Sequence, residues 1–254
     1  MGFLTIIFLL VLTVTMWNGA DVRAQQGSGG QDPFEFFTNS SFQQIGSWSL
    51  DENGQTNFLD RTTNHLTGNL QPFLSTADSV PGLISNALSI TGHSVVNFGS
   101  NSALNLSQGF TISAWVRGSN ATEKTVLTRW EGISGNGWEM GIGGNGVAQL
   151  QFLAGSSTTQ MVVGVRDALN VRDGRWHHLA GVYDPAQSKA TIYVDGWPES
   201  SRTIINWNPS TIQSFIFGSP ASQSPNPTFT LDEVQLYGVP FSHTGVDPSQ
   251  PSIN

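Results

Sequence analysis

The chain has 254 residues, a formal net charge of −8, 11% charged residues and no cysteine. This length admits one large all-β domain or two ordinary ones. The missing cysteines exclude disulfides, thiolate metal sites and cysteine nucleophiles, and the acidic balance lacks the basic footprint that a nucleic-acid partner needs.

Residues 1–24 are expected to be a secretory signal. Residues 3–16 form an apolar run that is too short for a spanning helix, which takes about 20 residues. Val22, Arg23 and Ala24 place small residues where a signal peptidase reads. The protein is therefore expected outside the cell, secreted or at its surface, with no stable membrane insertion once the signal is removed. Residues 25–44 open with QQGSGGQD, the composition of a flexible linker, and continue to Phe34, Phe36 and Phe37, which are expected to pack onto the domain. Residues 45–242 read as that domain. Residues 243–254, with Pro248 and Pro251, read as a disordered tail.

Inside the domain, strands are expected at 47–51, 87–90, 95–98, 110–117, 126–130, 138–142, 147–153, 161–165, 177–183, 190–194, 215–218 and 230–237. The segment 54–70, rich in Asn, Thr and Gly, reads as a long loop with one short strand, and 167–171 as a turn of helix. Phe110, Ile112, Ala114 and Val116 fall on one face, with Thr111, Ser113, Trp115 and Arg117 on the other. Leu150 and Phe152 alternate with Gln149 and Gln151 in the same way. That is period 2, and no window of 11 or more residues carries a helical stripe. Asp184-Pro185 interrupts the ladder between two strands, and Asp195-Gly196 is a strong signal for a hairpin turn. Many short strands separated by turn signals indicate a sandwich or barrel. No fixed period recurs, which argues against a propeller or solenoid.

Four segments carry a family resemblance, in order: NALSITG at 86–92, FTISAWV at 110–116, WHHLAGVYD at 176–184 with IYVDG at 192–196, and LDEVQLY at 231–237. Together they resemble laminin G-like jelly-roll domains of the concanavalin A-like lectin and glucanase superfamily, over roughly residues 47–242. The resemblance implies an all-β fold, a two-sheet antiparallel jelly-roll sandwich. Function does not follow from it, because the superfamily includes lectins, adhesion modules, enzymes and structural domains.

The carboxylate of greatest interest is Asp232. Strict alternation along LDEVQLY gives it the face of Val234 and Leu236, and a carboxylate on a core face needs a partner. Ca²⁺, a hard cation with oxygen ligands, is the partner expected. Asp51 at the end of the first strand is the second expected ligand, with loop oxygens near Asn64, Gly68 or Asn69, of which Asn69 is the one assigned, as further donors. The resemblance implies the same placement, since related jelly rolls often hold one calcium between the first strand's end and the last strand's aspartate. The alternative is that Asp232 caps a turn through backbone N–H groups.

Other patterns are set aside on geometry. Adjacent strand residues point to opposite faces, so His177 and His178 cannot share one metal ion. GIGGNG at 141–146 matches a dinucleotide fingerprint, but a strand follows it where a helix is required, and Asn145-Gly146 reads as a hairpin turn. DENGQ at 51–55 lacks the glycine and glutamate of a calcium-binding helix–loop–helix, with Thr56 and Thr62 in their places.

No catalytic residues are assigned. The glycosidase branch of the superfamily needs two facing carboxylates, and its E-x-D-x-x-E strand pattern is missing. Glu131 and Glu139 have no second acid at spacing two or four, and there is no nucleophile elbow or zinc pair. The remaining candidates are aromatic. Trp130, Trp138, Trp197 and Trp207 lie at or near expected strand ends and loops, where an indole can pack on a sugar ring while a side chain such as Asn206 bonds its hydroxyls. Sequons at Asn39, Asn105 and Asn120 would matter only in a eukaryotic secretory pathway. The expected function is a secreted, non-catalytic binding module for a glycan or extracellular glycoprotein, acting through rim loops. A structural or self-assembling surface protein is the alternative, and a glycoside hydrolase the third reading.

Overall fold

The computed structural model describes residues 44–71, 78–91, 95–118, 124–129, 136–154, 157–163, 170–205, 207–209, 213–219 and 228–241. The expected signal, most of the linker and the tail lie outside these residues. Contacts bind Asn39–His243 into one compact unit. In chain order the strands are β1 Gln44–Trp48, β2 Asn57–Phe58, β3 Gly68–Gln71, β4 Asp78–Pro81, β5 Asn86–Thr91, β6 Val95–Asn97, β7 Phe110–Arg117 and β8 Lys124–Thr128. They continue with β9 Asn136–Ile142, β10 Ala148–Ala154, β11 Ser157–Val163, β12 Trp176–Asp184, β13 Lys189–Val194, β14 Trp197–Thr203, β15 Ile216–Phe217 and β16 Thr228–Tyr237. The chain is all-β, with a single 3-10 turn at Ser102–Leu104 among the described residues. No described helix is long and apolar enough to cross a membrane.

The strands form two antiparallel sheets. One runs β14-β13-β12-β7-β16-β5-β4, with β1 also paired to β16; the other runs β11-β10-β9-β8-β15-β6-β3-β2. Period-2 alternation supplies the core between them. Phe110, Ile112, Ala114 and Val116 of β7 are buried inward, as are Ala190, Ile192 and Val194 of β13 and Leu150 and Phe152 of β10. Two aromatic nests fill the interior. Trp48 gathers Phe98, Phe215 and Phe217 at centroid distances of 4.8–5.6 Å. Phe110 stacks on Trp138 at 5.0 Å, and Phe152 and Tyr183 sit beside it.

Asp60 organises the loop that follows β1. Its carboxylate accepts the Ser47 N–H at 2.9 Å, the Thr62 N–H at 2.9 Å, the Leu66 N–H at 3.0 Å and the Thr62 hydroxyl at 2.7 Å. A buried acid is tolerated here because backbone donors surround it.

β16 changes partner midway. Thr228 to Leu231 pair with β5, and Val234 to Tyr237 pair with β1. At the junction the register with β7 slips between Asp232 and Gln235, and Glu233 takes φ 47°. This is a β-bulge, one extra residue that resets the alternation. Asp232 consequently lies opposite Trp115, away from the core, while Leu236 lies opposite the buried Ile112. The expectation that Asp232 shares a face with Val234 and Leu236 is corrected by that bulge.

β14 and β4 were not anticipated from the sequence. β14 is an edge strand, WPESSRT, with most of its residues exposed. An edge tolerates Pro198 and needs no buried face, so alternation is missing.

Candidate functional site

The β13–β14 corner is built on Asp195 and Gly196, with φ 52° and 86°. Positive φ at both central residues is the turn that the right-handed strand twist selects, and glycine accepts it without a Cβ penalty. The Asp195 carboxylate ties the corner back to β12. Its Oδ1 accepts the His178 backbone N–H at 2.8 Å, and its Oδ2 lies 2.9 Å from His177 Nδ1. The Asp195 N–H in turn donates to the His178 carbonyl at 2.8 Å. The other nitrogen of the His177 ring, Nε2, lies 3.1 Å from Asp173 Oδ1. Asp173 accepts the Arg175 N–H at 2.8 Å and lies 3.6 Å from the Arg175 guanidinium.

The electrostatics follow from these contacts. The hydrogen bond to Asp195, with a smaller one to Asp173, outweighs burial and raises the His177 ring above its ordinary value. Burial alone would push Asp195 up, but the bonds from His177 and His178 bring it below the usual carboxylate range. Asp173 is lowered chiefly by the Arg175 N–H. On the opposite face of β12, burial drives His178 down to about 4, and its ring packs 5.2 Å from Trp115. The two histidines point to opposite faces, as strand geometry requires.

Trp197 leaves this corner as the first residue of β14 and is 57% exposed. Glu199 follows two residues later, its carboxyl raised by burial and by Asp195. On the neighbouring strands the Arg117 guanidinium lies 4.7 Å over the Trp176 ring. An open indole can stack on the apolar face of a sugar, and a carboxylate such as Glu199, two residues along the same strand, can accept its hydroxyl hydrogens.

The other tryptophans are placed differently. Trp207 is 5% exposed and belongs to the core, edge-on to Phe152 at 4.9 Å and to Tyr183 at 5.1 Å. Its indole N–H donates to the Leu153 carbonyl at 3.2 Å, and its own carbonyl accepts from the Tyr183 hydroxyl at 3.3 Å. Trp138 is fully buried against Phe110. Neither indole is free for a ligand, which corrects the expectation for both: the loop and strand end that carry them fold inward because the core offers aromatic partners. Trp130 and Asn206 lie outside the described residues. Glu139 is buried in β9 beside the Thr128 hydroxyl, away from any open strand end; Glu131 lies outside the described residues.

The expected calcium ligands divide. Asp51 and Asp232 converge on the β4–β5 turn. The Asn86 N–H donates to Asp51 Oδ1 at 3.1 Å, and the Leu83 and Ile84 N–H groups donate to Asp232 Oδ2 at 2.8 and 3.2 Å. The turn comes so close that a Cβ on Gly82 would lie 2.7 Å from Asp232 Oδ2. Asp232 therefore caps a turn, the alternative considered from the sequence. Its Oδ1, however, is buried with no partner among the described residues. Burial, with a contribution from Asp51, raises Asp232 to about 6. Burial and Asp232 raise the neighbouring Glu233 to about 7. Asp51 is partly neutralised by Arg61 at 3.1 Å. Asn69 does not join them; it is exposed on β3 of the other sheet, paired with Asn57 and Asn97. No group of three His, Cys, Asp or Glu side chains among the described residues is placed to hold a metal. A cation at Asp232 Oδ1 would have Asp51 as the other carboxylate of this turn, and carboxylate oxygens suit a hard ion.

Comparison with known proteins agrees with this architecture. A family model described as the concanavalin A-like lectin/glucanases superfamily matches residues 91–247. Domain 4 of AbnA, an extracellular arabinanase from Geobacillus stearothermophilus solved with arabinotriose, superposes at TM-score 0.62 and 19% identity, covering 80% of this chain and 96% of that one. The binding domain of Paraclostridial Mosquitocidal Protein 1 superposes at 0.61 and 15%, covering 80% and 50%. The binding domain of botulinum neurotoxin DC in complex with SialylT superposes at 0.58 and 14%, covering 79% and 49%. The chain spans about half the length of these toxin domains. At such identities the likeness is one of fold. No curated protein sequence matches significantly.

Proposed function

The chain belongs to the concanavalin A-like lectin/glucanases superfamily, and on that premise we propose that it is a secreted or cell-surface, non-catalytic module that binds carbohydrate at the β13–β14 corner. The observation that carries the reading is Trp197, 57% exposed at the start of β14, two residues in sequence from Asp195 and from Glu199. A large aromatic left open on a rigid hairpin corner presents contact area at little entropic cost. Solved neighbours carrying arabinotriose and SialylT support the ligand class. The test is a glycan array followed by calorimetry with the best hit. Saturable binding in the wild type and its loss in Trp197→Ala is the expected result; undiminished binding by that variant would overturn the site. Regular oligomers with no glycan binding would favour the structural, self-assembling reading. Release of reducing sugar from β-glucans would revive the hydrolase.

The unpartnered, buried Oδ1 of Asp232 supports a second element of the proposal, a structural Ca²⁺ held by Asp232 and Asp51 under the β4–β5 turn. Its role would be to neutralise a crowded carboxylate pair and fix that turn, and Asn69 is not part of it.

A further inference from the structure

A neutral imidazole has one N–H and one lone pair, and ionised carboxylates only accept hydrogen bonds. His177 nevertheless meets a carboxylate oxygen at each ring nitrogen, Asp195 at 2.9 Å and Asp173 at 3.1 Å. Both contacts are hydrogen bonds only when the ring is an imidazolium. When it loses a proton, one nitrogen must turn its lone pair toward a carboxylate. We propose that His177 is a proton-operated clasp, joining the 172–175 segment of the preceding loop to the β13–β14 corner when charged and releasing it when neutral.

The geometry selects the side that opens. Asp195 is bound to β12 by two further hydrogen bonds, from the His178 N–H and to the His178 carbonyl. The Asp173 side chain is as exposed as that of Asp195, but its remaining partner is Arg175 of its own loop, so nothing else ties it to the sheet. The last proton therefore stays on Nδ1, and Nε2 loses Asp173. The Val171 side chain stays buried in the core and its N–H stays on the Gly146 carbonyl at 3.0 Å, so it is the 172–175 segment that is freed, with a long contact from Gly174 N–H to the Gly118 carbonyl at 3.3 Å left to hold it.

The surrounding charges do not mask the switch. Asp173, itself paired with Arg175, faces the ring from the loop and Asp195 from the turn. Glu199 adds negative charge from β14. Arg117, at the end of β7, is engaged with Trp176. His178 is neutral across this range because burial holds it near 4. The His177 ring is raised above 6.5, chiefly by Asp195. A raised histidine contributes stability that is complete below its unfolded value and lost as pH climbs through its folded value. The clasp is thus shut in mildly acidic medium and opens on the alkaline side of 6.5. Any effect on a ligand rests on the reading of Trp197 as the contact residue; the clasp itself does not.

Amide hydrogen exchange of residues 172–175 in the full chain tests it, at pH 6 and 8.5, corrected for intrinsic exchange rates. Wild-type protection is expected to fall by up to about tenfold per pH unit between the ring's open-loop and closed-loop values. Asp173→Asn should flatten that dependence, because a carboxamide can accept from the charged ring or donate to the neutral one. His177→Gln should flatten it too, and Asp173→Asn serves alone if that variant folds poorly. Wild-type protection that does not change with pH, or a slope unchanged by Asp173→Asn, would overturn the clasp. Glycan titrations at the same two pH values separate the readings. A pH-dependent loop without glycan binding sinks only the Trp197 site, and glycan binding over a pH-insensitive loop sinks only the clasp.

Discussion

Trp207→Ala and Trp197→Ala are predicted to fail in opposite ways. A buried tryptophan removes about 150–250 Å² from water, which at ~25 cal/mol per Å² is about 4–6 kcal/mol; large-to-small core changes at tryptophan cost about 3–5 kcal/mol in practice. Trp207 is 5% exposed, edge-on to two other rings. Its loss also strands the buried Leu153 carbonyl that its indole N–H satisfies, adding about 1–3 kcal/mol. Against a total stability of about 5–15 kcal/mol, Trp207→Ala should consume much of the margin. With about 4–8 kcal/mol lost in all and about 2–4 °C per kcal/mol for a domain of this size, the melt should fall by roughly 8–32 °C. Trp197, 57% exposed, should change stability by no more than about 0.5–1 kcal/mol, yet abolish glycan binding. Calorimetric melts with urea titration measure both. A Trp207→Ala protein that melts like the wild type but no longer binds sugar would refute the placement of that indole in the core.

Further outcomes follow from the two carboxylate sites. Asp60→Ala leaves the Ser47 and Leu66 N–H groups without their acceptor, so chemical denaturation should show a loss of about 2–5 kcal/mol; a loss below about 1 kcal/mol would deny it an organising role. If the β4–β5 turn holds Ca²⁺, EDTA should lower the wild-type melting temperature and leave Asp232→Ala unmoved; equal melts with and without the chelator count against the ion. Asp232 is raised to about 6 and Glu233 to about 7, so the folded state binds their protons more tightly than the unfolded chain does. Stability measured without calcium should therefore fall as pH rises from about 4 to 7, and saturating calcium should flatten that slope.

How far the sequence reaches depends on whether a residue's role is set locally. β7 is expected at 110–117 and found there, because its inward residues are all apolar and three of its four outward ones are polar, so pattern and burial coincide except at the buried Thr111. The Asp195-Gly196 turn is equally local, since its φ values are set by two residues. Asp232 shows where locality ends. Alternation along LDEVQLY is a statement about a regular strand, and β16 stops being regular where it leaves β5 for β1. The bulge at Glu233 answers a topological need that no neighbouring residue announces, and it moves Asp232 to the other face. Trp207 and Trp197 show the same limit for side chains: both sit in polar, turn-rich stretches, and only distant Phe152 and Tyr183 decide that one is swallowed. The Asp173–His177–Asp195 arrangement required three short-range facts at once: a strand that buries every second residue, a turn that points Asp195 back at it, and a loop that returns four residues upstream. Each is legible alone. Their convergence on one ring is a property of the corner, which is why the sequence excluded a shared metal at His177 and His178 without revealing the clasp.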